Sequence, residues 1–265
     1  MIECVLNISE GRHLDAVARV AQAGGAGLLD VHTDEDHHRS VLTLAGEDAA
    51  RAVAAAAVLT LDLTNHDGVH PRIGVADVVP FVPLGSSTLA DAVAARDRFA
   101  RWAGDELAVP CFCYGPERTL PEVRAHAFAE LAPTFGPPHP HPTAGAMAVG
   151  ARPVLVAYNL WLADATLEVA RAIARSLRGP AVRALGLPVG EAVQVSMNLI
   201  DPTSVGPDEV YRRVATLATI DHAELVGLVP QAVLDATEPS AWDRLDLAPD
   251  RTIEARLEAR GLRLD

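Results

Sequence analysis

The chain has 265 residues, 49% hydrophobic and 22% charged, with a formal net charge of -13, enough for one large α/β domain or two small ones with buried cores. Such acidity makes nucleic acid and anionic membrane poor partners, and no apolar run approaches the roughly 20 residues that cross a bilayer. The first residues lack a basic stretch followed by an apolar one, and the three cysteines, Cys4, Cys111 and Cys113, cannot all pair and form no Cys-x-x-Cys, so core thiols in a reducing cytoplasm are expected.

In chain order, the pattern predicts a strand over 4–8 and a helix over 14–23 that stops at Gly24-Gly25. Strands over 28–31 and 40–44 follow, separated by a polar loop, then an alanine-rich helix over 48–61 and a strand over 76–82. The order is βαββαβ. The glycines at 24, 25 and 27 follow a helix and precede a strand, the reverse of a dinucleotide fingerprint. Next come helical patterns over 89–107 and 120–131 flanking a strand at 111–113, and a Pro/His-rich run over 135–142 that cannot be a helix or inner strand. The order βαββαβ then recurs: a strand over 154–160, a helix capped by Asp164 and ending near Arg178, an extended stretch at 184–185, a strand over 193–199, a helix opened by Pro207 and a strand over 225–229. The expected fold class is therefore α/β (α+β), two ferredoxin-like βαββαβ subdomains over 1–150 and 151–265 packed around a ligand groove.

Several of the ten histidines fall in loops. His66 and His70 are four apart, yet Gly68 breaks a helix and Pro71 pushes His70 toward an extended backbone. An imidazole so displayed can take a proton from one amine and return it to another, or it can be a loop histidine satisfied by backbone. Arg72 would lie on the same side of an extended segment, where its fork could hold a carboxylate. A second cluster, His32-Thr33-Asp34-Glu35-Asp36-His37-His38-Arg39, has the residue types of a metal site, a solvated acidic loop or a substrate contact anchored by Arg39. Its spacing matches no zinc or two-metal template. Residues 143–152, Thr-Ala-Gly-Ala-Met-Ala-Val-Gly-Ala-Arg, are small enough for a ligand to approach the backbone, or form a linker.

Four separated motifs, at 7–12 (Asn-Ile-Ser-Glu-Gly-Arg), 66–83 (beginning His-Asp-Gly-Val-His-Pro-Arg-Ile-Gly), 145–152 and 225–230 (Leu-Val-Gly-Leu-Val-Pro), together resemble the formiminotransferase (glutamate formimidoyltransferase) family. The resemblance implies transfer of a formimino group from N-formimino-L-glutamate to N5 of tetrahydrofolate, as in histidine breakdown, by a homodimer of paired α/β subdomains flanking a folate groove or tunnel. By position, His70 matches the family's catalytic histidine, and the folate-binding segment falls on 143–152, with Thr143, Gly145, Met147, Gly150 and Arg152 as its contacts. One acid-base group suffices for amidine transfer, so tetrahydrofolate is the expected co-substrate and no metal is required. Arg39, Arg72 and Arg152 are the cations expected against the substrate carboxylates, with His32, His38 and His66 as further contacts.

The chain departs from the family pattern at three places. Val69 stands where a glutamate usually precedes the catalytic histidine, His32 replaces an aspartate and His38 an asparagine. These departures keep open an altered donor or acceptor, or a folate-binding protein without turnover. A metal-dependent hydrolase using His32, Asp34, Asp36 and His38 is the remaining class.

Overall fold

The computed structural model describes residues 1–64, 66–68 and 71–264. They divide into two compact units, Met1–Pro153 and Val154–Arg263. The structure has mixed α/β content in two sheets, an α+β fold of two subdomains.

The first unit opens with β1 (Ile2–Ile8), α1 (Leu14–Gln22), β2 (Leu28–Asp34), β3 (Arg39–Ala45), α2 (Glu47–Thr60) and β4 (Ala76–Pro83). It continues with α3 (Leu89–Glu106), β5 (Cys111–Tyr114), α4 (Leu120–His126) and β6 (Met147–Ala151). The sheet order is β2-β3-β1-β4-β6-β5. β1 runs antiparallel to β3 and β4, whereas β6 runs parallel to β4 and β5. Alternation on β1 sends Cys4, Leu6 and Ile8 into a core with Val17 and Val20 of α1, Val53 and Ala57 of α2, and Phe99 and Ala103 of α3. Small alanines on α2 and α3 let those helices lie close to the sheet, and Phe81 and Phe99 meet at a ring distance of 5.4 Å. Thr88 starts α3 through a reciprocal capping box with Asp91. A second cluster holds Val78, Phe112, Tyr114, Ala146 and Ala148 with Val123 of α4.

The second unit comprises β7 (Val156–Leu162), α5 (Leu167–Leu177), β8 (Val182–Val189), β9 (Ala192–Leu199), α6 (Pro207–Ala215) and β10 (Ile220–Val226), then α7 (Gln231–Asp235) and α8 (Ile253–Ala259). Its sheet order is β10-β7-β9-β8, antiparallel throughout. The amphipathic stripe of α5 buries Ala170, Ile173, Ala174 and Leu177 against Val195, Met197 and Leu199.

Several element boundaries differ from the sequence reading. The expected polar loop between β2 and β3 shrinks to 35–38, because His32 and Asp34 belong to β2 and Arg39 to β3. The cap of α5 is Thr166, whose side chain accepts from the Val169 N–H; Asp164 instead has a left-handed φ of 50°. β8 is a full strand rather than a short extension. It lies at the sheet edge, where Pro188 is tolerated, and the exposed apolar Leu185 obscures its alternation. β10 begins at Ile220, earlier than its apolar end suggests, since Asp221 and His222 are exposed. The helical stretch expected to 131 stops at His126, whose carbonyl accepts from the N–H groups of Ala129, Glu130 and Leu131.

Candidate active site

Three of the motifs converge within the first unit. The Ser9 hydroxyl donates to the Gly74 carbonyl at 2.8 Å, and its N–H donates to Val75 O at 2.8 Å. On the other side, Ala146 N–H donates to Ile73 O (2.8 Å), Val75 N–H to Ala144 O (3.0 Å) and Leu63 N–H to Thr143 O (2.8 Å). The stretch around 73–75 is thus tied to both the 7–12 and the 143–152 segments. Gly145, at φ +69°, sits where a Cβ would come within 2.3 Å of Ile73 O, so the crossing excludes a side chain.

Glu10 organises the first motif. Its Oε1 accepts the N–H groups of Gly11 (2.9 Å), Arg12 (2.8 Å) and His13 (2.9 Å), which start α1. Burial pushes this carboxyl up, but the N–H groups of His13 and Arg12 outweigh it and hold it below the ordinary glutamate value. A Cβ on Gly11 would lie 2.1 Å from Asp34 O, so glycine is needed where this turn meets the β2–β3 hairpin.

That hairpin presents a buried imidazole. His38 takes a left-handed φ of 49° at its tip, and its Nδ1 accepts from the Gly11 N–H at 3.2 Å, which leaves the ring proton on Nε2. Its ring packs on that of His66 at 3.9 Å, tilted 40°. Arg72 Nη1 lies against both ring nitrogens of His66, 3.0 Å from Nε2, and the guanidinium reaches the carbonyls of His38 and His37 at 3.4 and 3.3 Å. Burial, then Arg72 and His38, bring His66 down to about 4. Burial likewise lowers His38, against the opposing pull of Glu10. Both shifts favour the uncharged ring of His66 and of His38.

Arg39, expected as a substrate anchor, is buried, with Nη1 on Asp77 Oδ2 (2.8 Å) and Nε on Asn7 Oδ1 (3.1 Å). Asp77 is fully buried and also accepts from Arg124 Nη2 (2.7 Å) and the Ile73 N–H (2.7 Å). Burial raises its carboxyl, but Arg39 and Arg124 reverse that and hold it below the ordinary aspartate value. Asp34 spends its carboxylate inside the hairpin, on the His37 N–H (2.8 Å) and on His37 Nδ1 (2.6 Å). Among the described residues no three His, Cys, Asp or Glu side chains are placed to hold a metal ion.

The second half of the 143–152 stretch forms β6, between β4 and β5, with Met147 1% exposed. The room left by Gly150 is filled by the Tyr114 ring, 2.1 Å from where a Cβ would stand, so here the chain itself makes the close approach. Thr143 and Arg152 at its ends are half-buried. A cleft of about 240 Å³ beside His66 is lined by Ser9, Glu10, His13, Thr60 and Asp62 among others. The expected acid-base residue His70 and its neighbour Val69 lie outside the described residues.

Residues 1–152 match the family described as the formiminotransferase domain, N-terminal subdomain. The chain is 33% identical to a glutamate formimidoyltransferase of Streptococcus pyogenes serotype M1, over 90% of this chain and 92% of that protein. A glutamate formimidoyltransferase of Thermoplasma acidophilum is 34% identical, over 90% and 91%. The chain belongs to the formiminotransferase family. It is a transferase enzyme. A formimidoyltransferase-cyclodeaminase of Sus scrofa is 35% identical over 89% of this chain, which spans 51% of that longer protein.

Glu10, Asp77 and Arg124 were not singled out by the sequence reading. Asp77 carries a signal: a carboxylate flanked by apolar residues in a buried strand requires a cationic partner. Arg124 carries none, because its partner Pro71 O is 53 residues away.

Proposed function

We propose that this protein transfers a formimino group between N-formimino-L-glutamate and N5 of tetrahydrofolate, with His70 as the acid-base residue. The observation that carries this reading is family membership together with the convergence of three family motifs on the peptide that follows His70. On this reading residues 1–150 and 151–265 are the N- and C-terminal subdomains of the family. The enzyme acts in the cytoplasm as a homodimer in histidine breakdown.

N5 of tetrahydrofolate attacks the amidine carbon of the donor, forming a C–N bond and a tetrahedral intermediate. His70 removes the proton from N5 and returns it to the glutamate nitrogen as the original C–N bond breaks, releasing glutamate with no net redox change. Arg72 supplies positive charge for the donor's carboxylates. The cleft beside His66, about 240 Å³, is below the roughly 300–1,000 Å³ of sites for drug-sized ligands, so it suits a group of amino-acid size rather than a whole folate. Tetrahydrofolate supplies the nucleophilic amine, and the half-buried Thr143 and Arg152 are the polar contacts for it along 143–152.

The test is to supply N-formimino-L-glutamate and tetrahydrofolate and measure glutamate release together with the 5,10-methenyl derivative formed on acid treatment. Stoichiometric appearance of both is expected. Folded protein that yields neither overturns the reading. Folate binding without turnover, unchanged by His70→Ala, would favour a non-catalytic folate-binding protein; an altered donor is the second reading, for which the His38–His66 pair and Val69 are the specific motive. Val69→Glu should then raise activity on formiminoglutamate.

A further inference from the structure

The peptide immediately after His70 is gripped on both sides of Arg72 by one ionic network centred on the buried Asp77. Arg124 Nη1 donates to the Pro71 carbonyl at 2.7 Å, and Asp77 Oδ1 accepts the Ile73 N–H at 2.7 Å. The two grips are joined through Asp77 Oδ2, which accepts from Arg124 Nη2 at 2.7 Å and from Arg39 Nη1 at 2.8 Å. Arg39 is held in turn by Asn7. Elements β4, α4, β3 and β1 therefore all bear on three consecutive residues of a loop.

A fully buried carboxylate between two guanidiniums is a costly way to stabilise a fold, since packed apolar residues of similar volume often do as well or better. What apolar residues cannot do is fix the direction of one carbonyl and one N–H two residues apart. We propose that Asp77 and Arg124 are positioning residues, which clamp the peptide 71–73 and through it set His70 and Arg72 for the transfer step. The proposal rests on the acid-base reading of His70.

Displacing reacting groups by about 1 Å can cost 10²-fold in rate, so Arg124→Gln should lower kcat by about 10–100-fold with KM within about threefold. Amide exchange over 66–74, followed by mass spectrometry, should speed up about tenfold. Arg124→Lys, which keeps the charge and one donor direction, should fall between wild type and Arg124→Gln. Asp77→Asn keeps the shape and should repeat the kcat loss, which guards against a folding defect peculiar to Arg124→Gln. Arg118→Gln is the control, because Arg118 makes a similar tie to the Cys113 carbonyl (2.8 Å) away from this loop; its kcat should stay within about twofold. The clamp is overturned if Arg124→Gln leaves exchange over 66–74 unchanged, if kcat holds within twofold, or if Arg118→Gln loses as much. His70→Asn in the same series separates the two claims: retained turnover there sinks the acid-base reading, while the exchange data still decide the clamp.

Discussion

The two units share the order βαββαβ and differ in what they bury. The second unit keeps four antiparallel strands, and its helix α6 pairs charges on the surface, Arg212 with Asp208 and Arg213 with Glu209. In the first unit two further parallel strands extend the sheet beyond β4, and Asp77, Arg39 and Arg96 are buried. The second unit also has long-range polar ties, Tyr158 to the Leu245 carbonyl and Asn159 to Glu224; the first unit differs in tying distant segments together through buried charge. Asp77 joins residues from 7 to 124 in sequence through Arg39 and Arg124.

Four substitutions sharpen this contrast. Asp77→Ala leaves the buried Arg39 guanidinium and the partly buried one of Arg124 without their shared carboxylate, and chemical denaturation should show a loss of about 3–5 kcal/mol. Gly11→Ala drives a Cβ into the Asp34 carbonyl and should cost about 1–3 kcal/mol by the same measurement. His66 gives a pH signature. Its folded value of about 4 lies below the ordinary 6.5, so the unfolded chain binds the proton first. Its contribution is complete above about pH 6.5 and is lost as pH falls toward 4. Because the ring is partly exposed, about 1 kcal/mol is expected, and His66→Gln should flatten the melting temperature across that range. Arg212→Ala in the second unit should cost less than about 0.5 kcal/mol. A cost there equal to that of Asp77→Ala would erase the distinction between the units.

Much of the fold was legible because period and punctuation agree: α1 and α5 carry clean apolar stripes, and Pro207 opens α6. The errors fall where tertiary pairing overrides local pattern. β8 reads poorly because an edge strand tolerates Pro188, and β2 extends through His32 and Asp34 because its partner β3 continues opposite them. In the first unit, His38, His66 and Arg72 were legible as unusual loop residues. Arg39 was legible as a cation but not as a buried one, since its partner Asp77 is 38 residues away. Glu10 reads as a surface acid until the turn folds three N–H groups onto it.

The central claim is that His70 moves the proton in formimino transfer. Steady-state turnover of N-formimino-L-glutamate and tetrahydrofolate by wild type and His70→Asn tests it most directly. The account predicts an unchanged melting temperature and a kcat lower by about 10²–10⁴-fold. A fall smaller than about fivefold, far below what a lost general acid-base group costs, would contradict it.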